Sequence, residues 1–508
     1  NKNGFDIVIA NPPYVSTKGV DEKDKKIFQQ IFGFADDLYC HFYFKGMQLL
    51  QENGILAFIS SKTFWTIQTK KNLRELILKN KLLQLFDTAN PFDTPIVETC
   101  VILVQKNFNS PDNYTFNYLD GTKSIISPTV QIGSIEYYKN APNQVFFPIN
   151  DYNLKIYKQY GKKIKELLNQ WWDKISTSKN IEKYKIELEE YRKSLKPGDI
   201  TLLGLITEGG QGLATGNNGK YIGVLEGTKW AENVRKQRPE KLLLAAKFCW
   251  DKGIKNKNDA SNFLNELNEQ EIRRLFDELK EKYGRDIFGQ GWLYRIVNYE
   301  EIADVESLTD NEKFNGIYGK KTFVPYDKGD KEGNRWYAPT PYYIDWSIEN
   351  VKFLKENSGK KSIGMPVVRN PQFYFREGFC WKDIGMDTLK VKIKEKTVND
   401  VKSMSLYLLP KFVNLTRYVI SVLNSNLFSH YQYNFINNTV SIQINDIRQL
   451  PVIIPSSKQL NFFESLFNKA VSIQKDKFSD KISKQQADEL LKVIQKELDN
   501  FVENMYIG

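Results

Sequence analysis

In the stretch Phe5–Val15, FDIVIANPPYV, a run of β-formers ends abruptly in Asn11-Pro12-Pro13-Tyr14. Two successive prolines cannot donate ladder hydrogen bonds, so a strand must stop before them, and their fixed φ makes the following loop rigid and extended. At the carboxyl end of a strand in an open α/β sheet, such a loop lies on the edge where ligands bind. It offers backbone carbonyls with no competing N–H from Pro12 or Pro13, the carboxamide of Asn11 and the ring of Tyr14. A planar base bearing an amino group suits that set. The Asn11 oxygen and a proline carbonyl can accept both amino hydrogens while Tyr14 stacks on the ring. Held this way, the amino nitrogen turns its lone pair toward an electrophilic methyl group. No strong general base is required if the proton leaves after transfer.

The loop needs a scaffold, and the first hundred residues supply the pattern of one. Asp6–Ala10 reads as a buried strand. Asp36 or Asp37 can cap a helix running to about Glu52, stopped by Asn53-Gly54. Ile55–Ser61 reads as a second buried strand, Lys70–Asn80 as an amphipathic helix, and Leu82–Asp87 and Thr99–Gln105 as further strands. Near-continuous apolar strands alternating with helices predict a largely parallel sheet covered on both faces.

These residues resemble a known family. NPPY after an apolar strand headed by Phe5-Asp6 is similar to the catalytic motif of adenine-specific DNA methyltransferases of gamma-type motif order. DDLYCHFYFKGMQLLQENGILAFISSKTF (Asp36–Phe64) resembles the helix and strand that follow it. NPFDTPIVETCVILVQK (Asn90–Lys106) resembles the later motif whose aromatic residue, here Phe92, helps hold a flipped base. The resemblance implies S-adenosylmethionine as methyl donor, with Pro13 beside it. It also implies catalysis by Asn11, Pro12, Pro13 and Tyr14, and stacking of an extruded adenine between Tyr14 and Phe92. The family's Gly-rich cofactor loop, F-x-G-x-G, precedes NPPY, and the residues ahead of Asn11 have no room for it. Asp286–Trp292 (DIFGQGW) has the wrong spacing, and Glu208–Asn218 (EGGQGLATGNN) lacks a preceding Phe and a following amphipathic helix. The expectation is that the chain is the C-terminal part of a larger methylase. It would then need the missing N-terminal part or a partner chain for the cofactor, and be inactive alone.

The second half resembles the target-recognition region of large methylases, either single-chain type IIG restriction–modification enzymes or the methyltransferase of BREX phage-exclusion systems. The segments that carry this are Leu202–Ile222, Phe323–Tyr337, Val367–Ile384 and Val422–Ser456. Their Gly turns present Asn, Gln, Thr, Arg and Lys, the residue types that read base edges and anchor phosphates. Gln211, Thr215, Asn217, Asn218 and Lys220 form one candidate DNA-binding cluster; Arg369, Asn370 and Arg376 form a second. The fold implied is α/β: a partial Rossmann-like methyltransferase sheet, then a mixed α+β target-recognition domain and C-terminal helices. The expected organisation is 1–108 for the C-terminal half of the catalytic domain and 109–197 for a polar, then helical, connector. Residues 198–456 would recognise DNA, with a helical insert near 235–283, and 457–508 would be helical support.

Composition sets the outer bounds. A chain of 508 residues exceeds one core. Its 72 Lys and Arg against 61 Asp and Glu give a net charge of +11, which favours a polyanionic partner such as double-stranded DNA. Four scattered cysteines without CxxC and only two histidines argue against a disulfide framework or a metal centre, and fit a reducing cytoplasm. No signal peptide and no apolar run long enough to span a bilayer stand in the sequence. No nuclease constellation of the P-D…E-x-K kind is found. Two alternatives stay open: a DNA-specificity module that borrows its cofactor site from a partner chain, and an RNA or protein-glutamine methyltransferase.

Overall fold

The computed structural model describes residues 4–92, 97–107, 112–284, 294–330, 332–362, 364–382 and 388–508. Its first layer is a six-stranded sheet made of β1 (Phe5–Ala10), β2 (Leu50–Ser61), β3 (Lys81–Ala89), β4 (Thr99–Gln105), β5 (Thr115–Asp120) and β6 (Thr129–Ser134), in the order β1-β2-β4-β3-β5-β6. Only β1–β2 and β3–β5 pair in parallel, whereas β4 runs antiparallel to both β2 and β3, and β6 to β5. The sheet is therefore mixed rather than largely parallel. Apolar continuity reports burial on both faces and not strand direction. The connection from Ala89 to Thr99 is too short for the crossover that a parallel neighbour requires.

Helices α1 (Glu22–Phe32), α2 (Leu38–Leu49), α3 (Lys71–Leu78), α4 (Ile135–Asn140) and α5 (Asp151–Ile175) accompany this sheet. α2 ends at Leu49, short of Asn53-Gly54, because β2 already begins at Leu50. It approaches the sheet closely at Gly46, where a Cβ would lie 2.8 Å from Leu56 Cδ1 and 3.6 Å from Val8 Cγ1. That contact seats the strand carrying the Asn-Pro-Pro-Tyr loop. Behind β2, the buried Arg74 guanidinium donates to the carbonyls of Phe64 (2.7 Å), Ile67 (2.8 Å) and Asn143 (3.0 Å). Burial pulls its pKa down to about 10.

One hydrophobic core joins the six-stranded sheet to α5 and to the C-terminal helices Thr416–Leu423, Ser457–Phe478 and Lys484–Tyr506. In the last of these Ile494, Leu498 and Val502 are buried in the chain's own core, so its apolar spacing is an intrachain seam. The Pro-Gly break at Leu195–Asp199 is a local turn in which the Gly198 N–H donates to the Ile454 carbonyl (2.8 Å). A second core fills a five-stranded sheet ordered Arg295–Val297, Ile222–Leu225, Tyr342–Asp345, Phe323–Asp327, Val398–Asn399. Beside it lies a four-stranded sheet of Val391–Lys394, Gly378–Trp381, Ser405–Leu408 and Thr207–Gly210. A third core belongs to the helical insert, four helices between Lys229 and Tyr283, in which Leu242, Leu264, Ile272 and Phe276 meet. Among the described residues no helix is long and apolar enough to cross a membrane.

Candidate functional site

The Asn-Pro-Pro-Tyr loop leaves the carboxyl end of β1, the edge strand of its sheet. Pro12 is buried, Asn11 and Pro13 are exposed, and Tyr14 is half-buried. Among the described residues no hydrogen bond engages the Asn11 carboxamide. The Tyr14 hydroxyl is buried and has no hydrogen-bond partner among them either. Burial, aided by Cys100, raises its pKa, so the phenol stays protonated.

The chain after Tyr14 is clamped. The Val15 carbonyl accepts from Leu38 N–H at 2.9 Å. Asp37 Oδ1 accepts from Thr17 N–H (2.8 Å) and Thr17 Oγ1 (2.9 Å), and its Oδ2 meets Lys70 Nζ at 2.7 Å. Asp37 precedes α2 yet makes no side-chain cap, since its carboxylate is spent on this clamp. Burial works to raise the Asp37 pKa, but the bonds and charge of Lys70 and the Thr17 donors outweigh it and hold the carboxyl below its ordinary 3.8. A depressed carboxyl contributes stability above its unfolded pKa and loses it as pH falls through the folded value. Asp37→Asn is therefore expected to cost about 1–2 kcal/mol at neutral pH. The gap to the parent should close below pH 3.8. Urea unfolding of both proteins across pH measures it; a pH-independent gap would count against the clamp.

Tyr14 lines a cleft of about 1020 Å³. One wall is the six-stranded sheet and its loops, with Asp37, Tyr39, Ser61, Lys62, Thr63, Val97 and Glu98. The other comes from far along the chain, with Tyr152 on α5, residues 426–440, and Asp499 and Glu503. Phe92, half-buried in the connection from β3 to β4, is not among the lining residues, although Val97 and Glu98 of that connection are.

Lys62 ties the walls together. It is 6% exposed, with Nζ 3.1 Å from Asp87 Oδ2 and 2.9 Å from Glu98 Oε2. Burial alone would lower its pKa; Asp87, Tyr433 and Glu98 reverse that and keep it charged. Burial draws the Asp87 carboxyl upward, against Lys62 and the Ala89 N–H. With both donors within 3.3 Å of its oxygens, the ionised pair is the state the geometry supports. Tyr433 OH donates to the same Glu98 oxygen from the opposite wall. A second joint lies just behind: Thr66 Oγ1 donates to Asn438 Oδ1 (2.8 Å), and Asn438 Nδ2 donates to the Lys62 carbonyl (2.9 Å). Sequence reasoning had no periodic or motif signal for Lys62, Glu98 or Tyr433. They stand far apart in the chain and meet only through folding.

The two candidate DNA-binding clusters lie side by side. Asn370 Nδ2 donates to the Gln211 carbonyl (2.9 Å), and Ala214 bridges Val367. Thr215 is buried and its hydroxyl bonds Asn218 Oδ1 at 2.5 Å, so this pair braces the loop from within. Asn370 sits at φ 49°, and Arg376 pairs with Glu208 (2.8 Å) while lying over the Tyr407 ring. Lys220 is exposed, its ammonium 4.7 Å from the Phe353 ring centroid; Asn217 and Arg369 are half-buried. The glycines of this loop serve packing: a Cβ on Gly212 would meet the Asn399 carbonyl oxygen at 2.0 Å. The loop is thus a close backbone crossing. Residues 285–293, which contain the whole of the other Gly-rich stretch, lie outside the described residues, as do 383 and 384 at the end of the segment Val367–Ile384. Among the described residues no group of three or more His, Cys, Asp and Glu could hold a metal ion. His430 Nε2 lies 2.6 Å from Asn153 Oδ1, and His41 stacks on Phe28 and Phe34.

An open α/β sheet with a proline loop at the end of its edge strand is the architecture of this first layer. Residues 1–93 match the family described as Eco57I restriction-modification methylase. The chain is 23% identical over 153 residues to the type II methyltransferase M.VspI of Vibrio sp. (strain 343), covering 30% of this chain and 36% of that protein. It is 26% identical over 149 residues to the type II restriction enzyme and methyltransferase RM.Eco57I of Escherichia coli, covering 26% of this chain and 15% of that one. To M.BstVI of Geobacillus stearothermophilus it is 33% identical over 112 residues, 21% of this chain and 20% of that protein. The chain therefore spans about a third or less of the length of these relatives. Its fold is similar to that of the type IIL restriction-modification enzyme MmeI, solved in complex with DNA. That match has a TM-score of 0.50 at 11% identity and covers 98% of this chain and 54% of MmeI.

Proposed function

We propose that this chain is the catalytic-loop and target-recognition portion of a DNA methyltransferase of a restriction–modification or phage-defence system. Its substrate would be the exocyclic amino group of an adenine extruded from the duplex. The observation that carries this reading is the exposed Asn11 carboxamide, with no hydrogen bond among the described residues, three positions ahead of Tyr14, which itself lines a roomy cleft. An adenine inside a duplex cannot reach such a loop, so it must be flipped out at a cost of a few kcal/mol. Asn11 and the Pro12 carbonyl then accept the amino hydrogens, and Tyr14 supplies a stacking face. Asp37 through Thr17, and the Leu38 N–H through the Val15 carbonyl, fix the loop that presents them.

S-adenosylmethionine is the donor this chemistry calls for. Among the described strands β1 pairs with β2 alone, and its Phe5, Ile7 and Ile9 are 61%, 63% and 79% exposed. In our reading further strands, from the same polypeptide or a partner chain, cover that edge and complete the donor site next to Pro13. The adjoining loops Gln211–Lys220 and Arg369–Arg376 would form one DNA-facing surface, with Thr215 and Asn218 as internal braces. The test is methyl transfer by the full-length gene product, supplied with labelled S-adenosylmethionine and offered duplex DNA, RNA and protein in competition. Label in adenine of duplex DNA is expected. Label confined to RNA or to protein would replace this reading with one of its two rivals.

A further inference from the structure

The second aromatic wall of the cleft comes from the end of the chain opposite to the one motif analysis points to. Gln432–Ile436 is a π-helical turn, a rare feature that recurs at functional sites. The extra residue in the turn leaves Phe435 and Ile436 buried while Tyr433 lines the cleft that Tyr14 enters. The turn is held hard. Asn437 N–H donates to the Gln432 carbonyl (2.8 Å), and Gln432 Nε2 donates to the Asn437 carbonyl (3.0 Å). Asn437 Nδ2 donates to Asp446 Oδ2 (2.7 Å). The Tyr433 ring is fixed at its tip by Glu98 and flanked by the Lys62 ammonium 5.8 Å from its centroid. So much buried polar structure behind one half-exposed ring sets that ring's angle.

We propose that Tyr433 is a substrate-contacting residue, stacking on the extruded base across the cleft from Tyr14. The recognition half would thereby complete the catalytic cleft. This rests on the methyltransferase reading above and assigns to Tyr433 the second face that the sequence resemblance gave to Phe92. Glu98 and Lys62 are its positioning residues. A stacked ring tolerates any base and holds it without a hydrogen bond, leaving the amino group to Asn11 and Pro12.

The experiment uses the full-length gene product and four variants, Y433F, Y433W, Y433L and Y433A. Methyl transfer, duplex affinity and thermal melting are measured for each. The methylated position is mapped with the parent protein, and 2-aminopurine is then placed there to report extrusion by its emission. Y433A and Y433L are expected to lose on the order of ten- to a hundredfold in kcat/KM. Their bound 2-aminopurine should emit more brightly for want of a quenching ring. Y433F and Y433W should keep most of the activity. Duplex affinity should change little throughout, and the fall in melting from losing the Glu98 bond should be shared by the active Y433F and Y433W, so that it does not account for the loss of activity. Activity in Y433L equal to the parent, or a loss in Y433F as deep as in Y433A, would overturn the proposal, since the ring would then be dispensable or merely a hydroxyl tether. Failure of the parent protein to methylate DNA at all would instead overturn the methyltransferase reading, so the two are told apart.

Discussion

Asn11→Ala is expected to abolish methyl transfer in the full-length protein while sparing duplex binding. Asn11 stands at the carboxyl end of β1, exposed, with no intramolecular hydrogen bond among the described residues. Its side chain therefore contributes little to folding, and the substitution should move stability by no more than about 0.5 kcal/mol. In the reaction the same carboxamide has two tasks. It places the amino nitrogen in line with the methyl group, and it accepts the N–H whose polarity grows as the nitrogen acquires positive charge. The second task gains strength only as the transition state forms, so its loss falls on kcat rather than on KM. Removing a comparable aimed hydrogen-bonding group costs roughly two to three orders of magnitude in other enzymes. Asn11→Asp would keep the acceptor oxygen and retain more activity than Ala. Methylation by Asn11→Ala at the parent rate would sink the assignment of this loop. A variant that also fails to bind DNA would show Asn11 to be a scaffold residue.

Lys62→Met is expected to be the most destabilising single change near the site, at about 3–5 kcal/mol, because it strands Asp87, 1% exposed, without its cation. The methionine side chain fills similar space, so the loss reports charge more than volume. Restoring neutrality with the double change Lys62→Met/Asp87→Asn should recover a good part of it, since the cost lies in the uncompensated buried charge. The pair also orients Glu98, and through it Tyr433, so the single variant should lose activity even where it remains folded. Guanidinium unfolding of the parent, the single and the double variants measures these terms. A loss below about 1 kcal/mol would mean that water reaches Asp87 and that the cluster does not seal the cleft wall.

Several elements near the site were legible in sequence because they obey local rules. The strand before Asn11 is apolar and ended by prolines, but it is exposed and not buried as its apolar run implied, because it forms the edge of the sheet; Lys71–Leu78 and Thr99–Gln105 fall within or on the segments read from periodicity. Sheet direction was not legible, since an apolar run is buried equally well between parallel and antiparallel neighbours. The end of α2 was misplaced for a related reason. Gly46 presses the helix onto the sheet, and β2 starts immediately after Leu49, before any stop signal appears.

The sequence by itself determined that a rigid proline loop with an Asn, two carbonyls and a Tyr closes an apolar strand, and hence which chemistry that loop suits. It also marked the resemblance to methylases. Only the tertiary structure decided what faces Tyr14. Cleft walls are built by side chains hundreds of residues apart, and their meeting depends on a shared core, on the buried Thr66–Asn438 pair and on the half-buried Glu98–Tyr433 bond. No spacing along the chain encodes such contacts. They arise because burying Lys62 requires counter-charges wherever the fold can supply them, and the fold supplies one from β3, one from the loop before β4, and an aromatic hydroxyl from a π-turn near the chain's end.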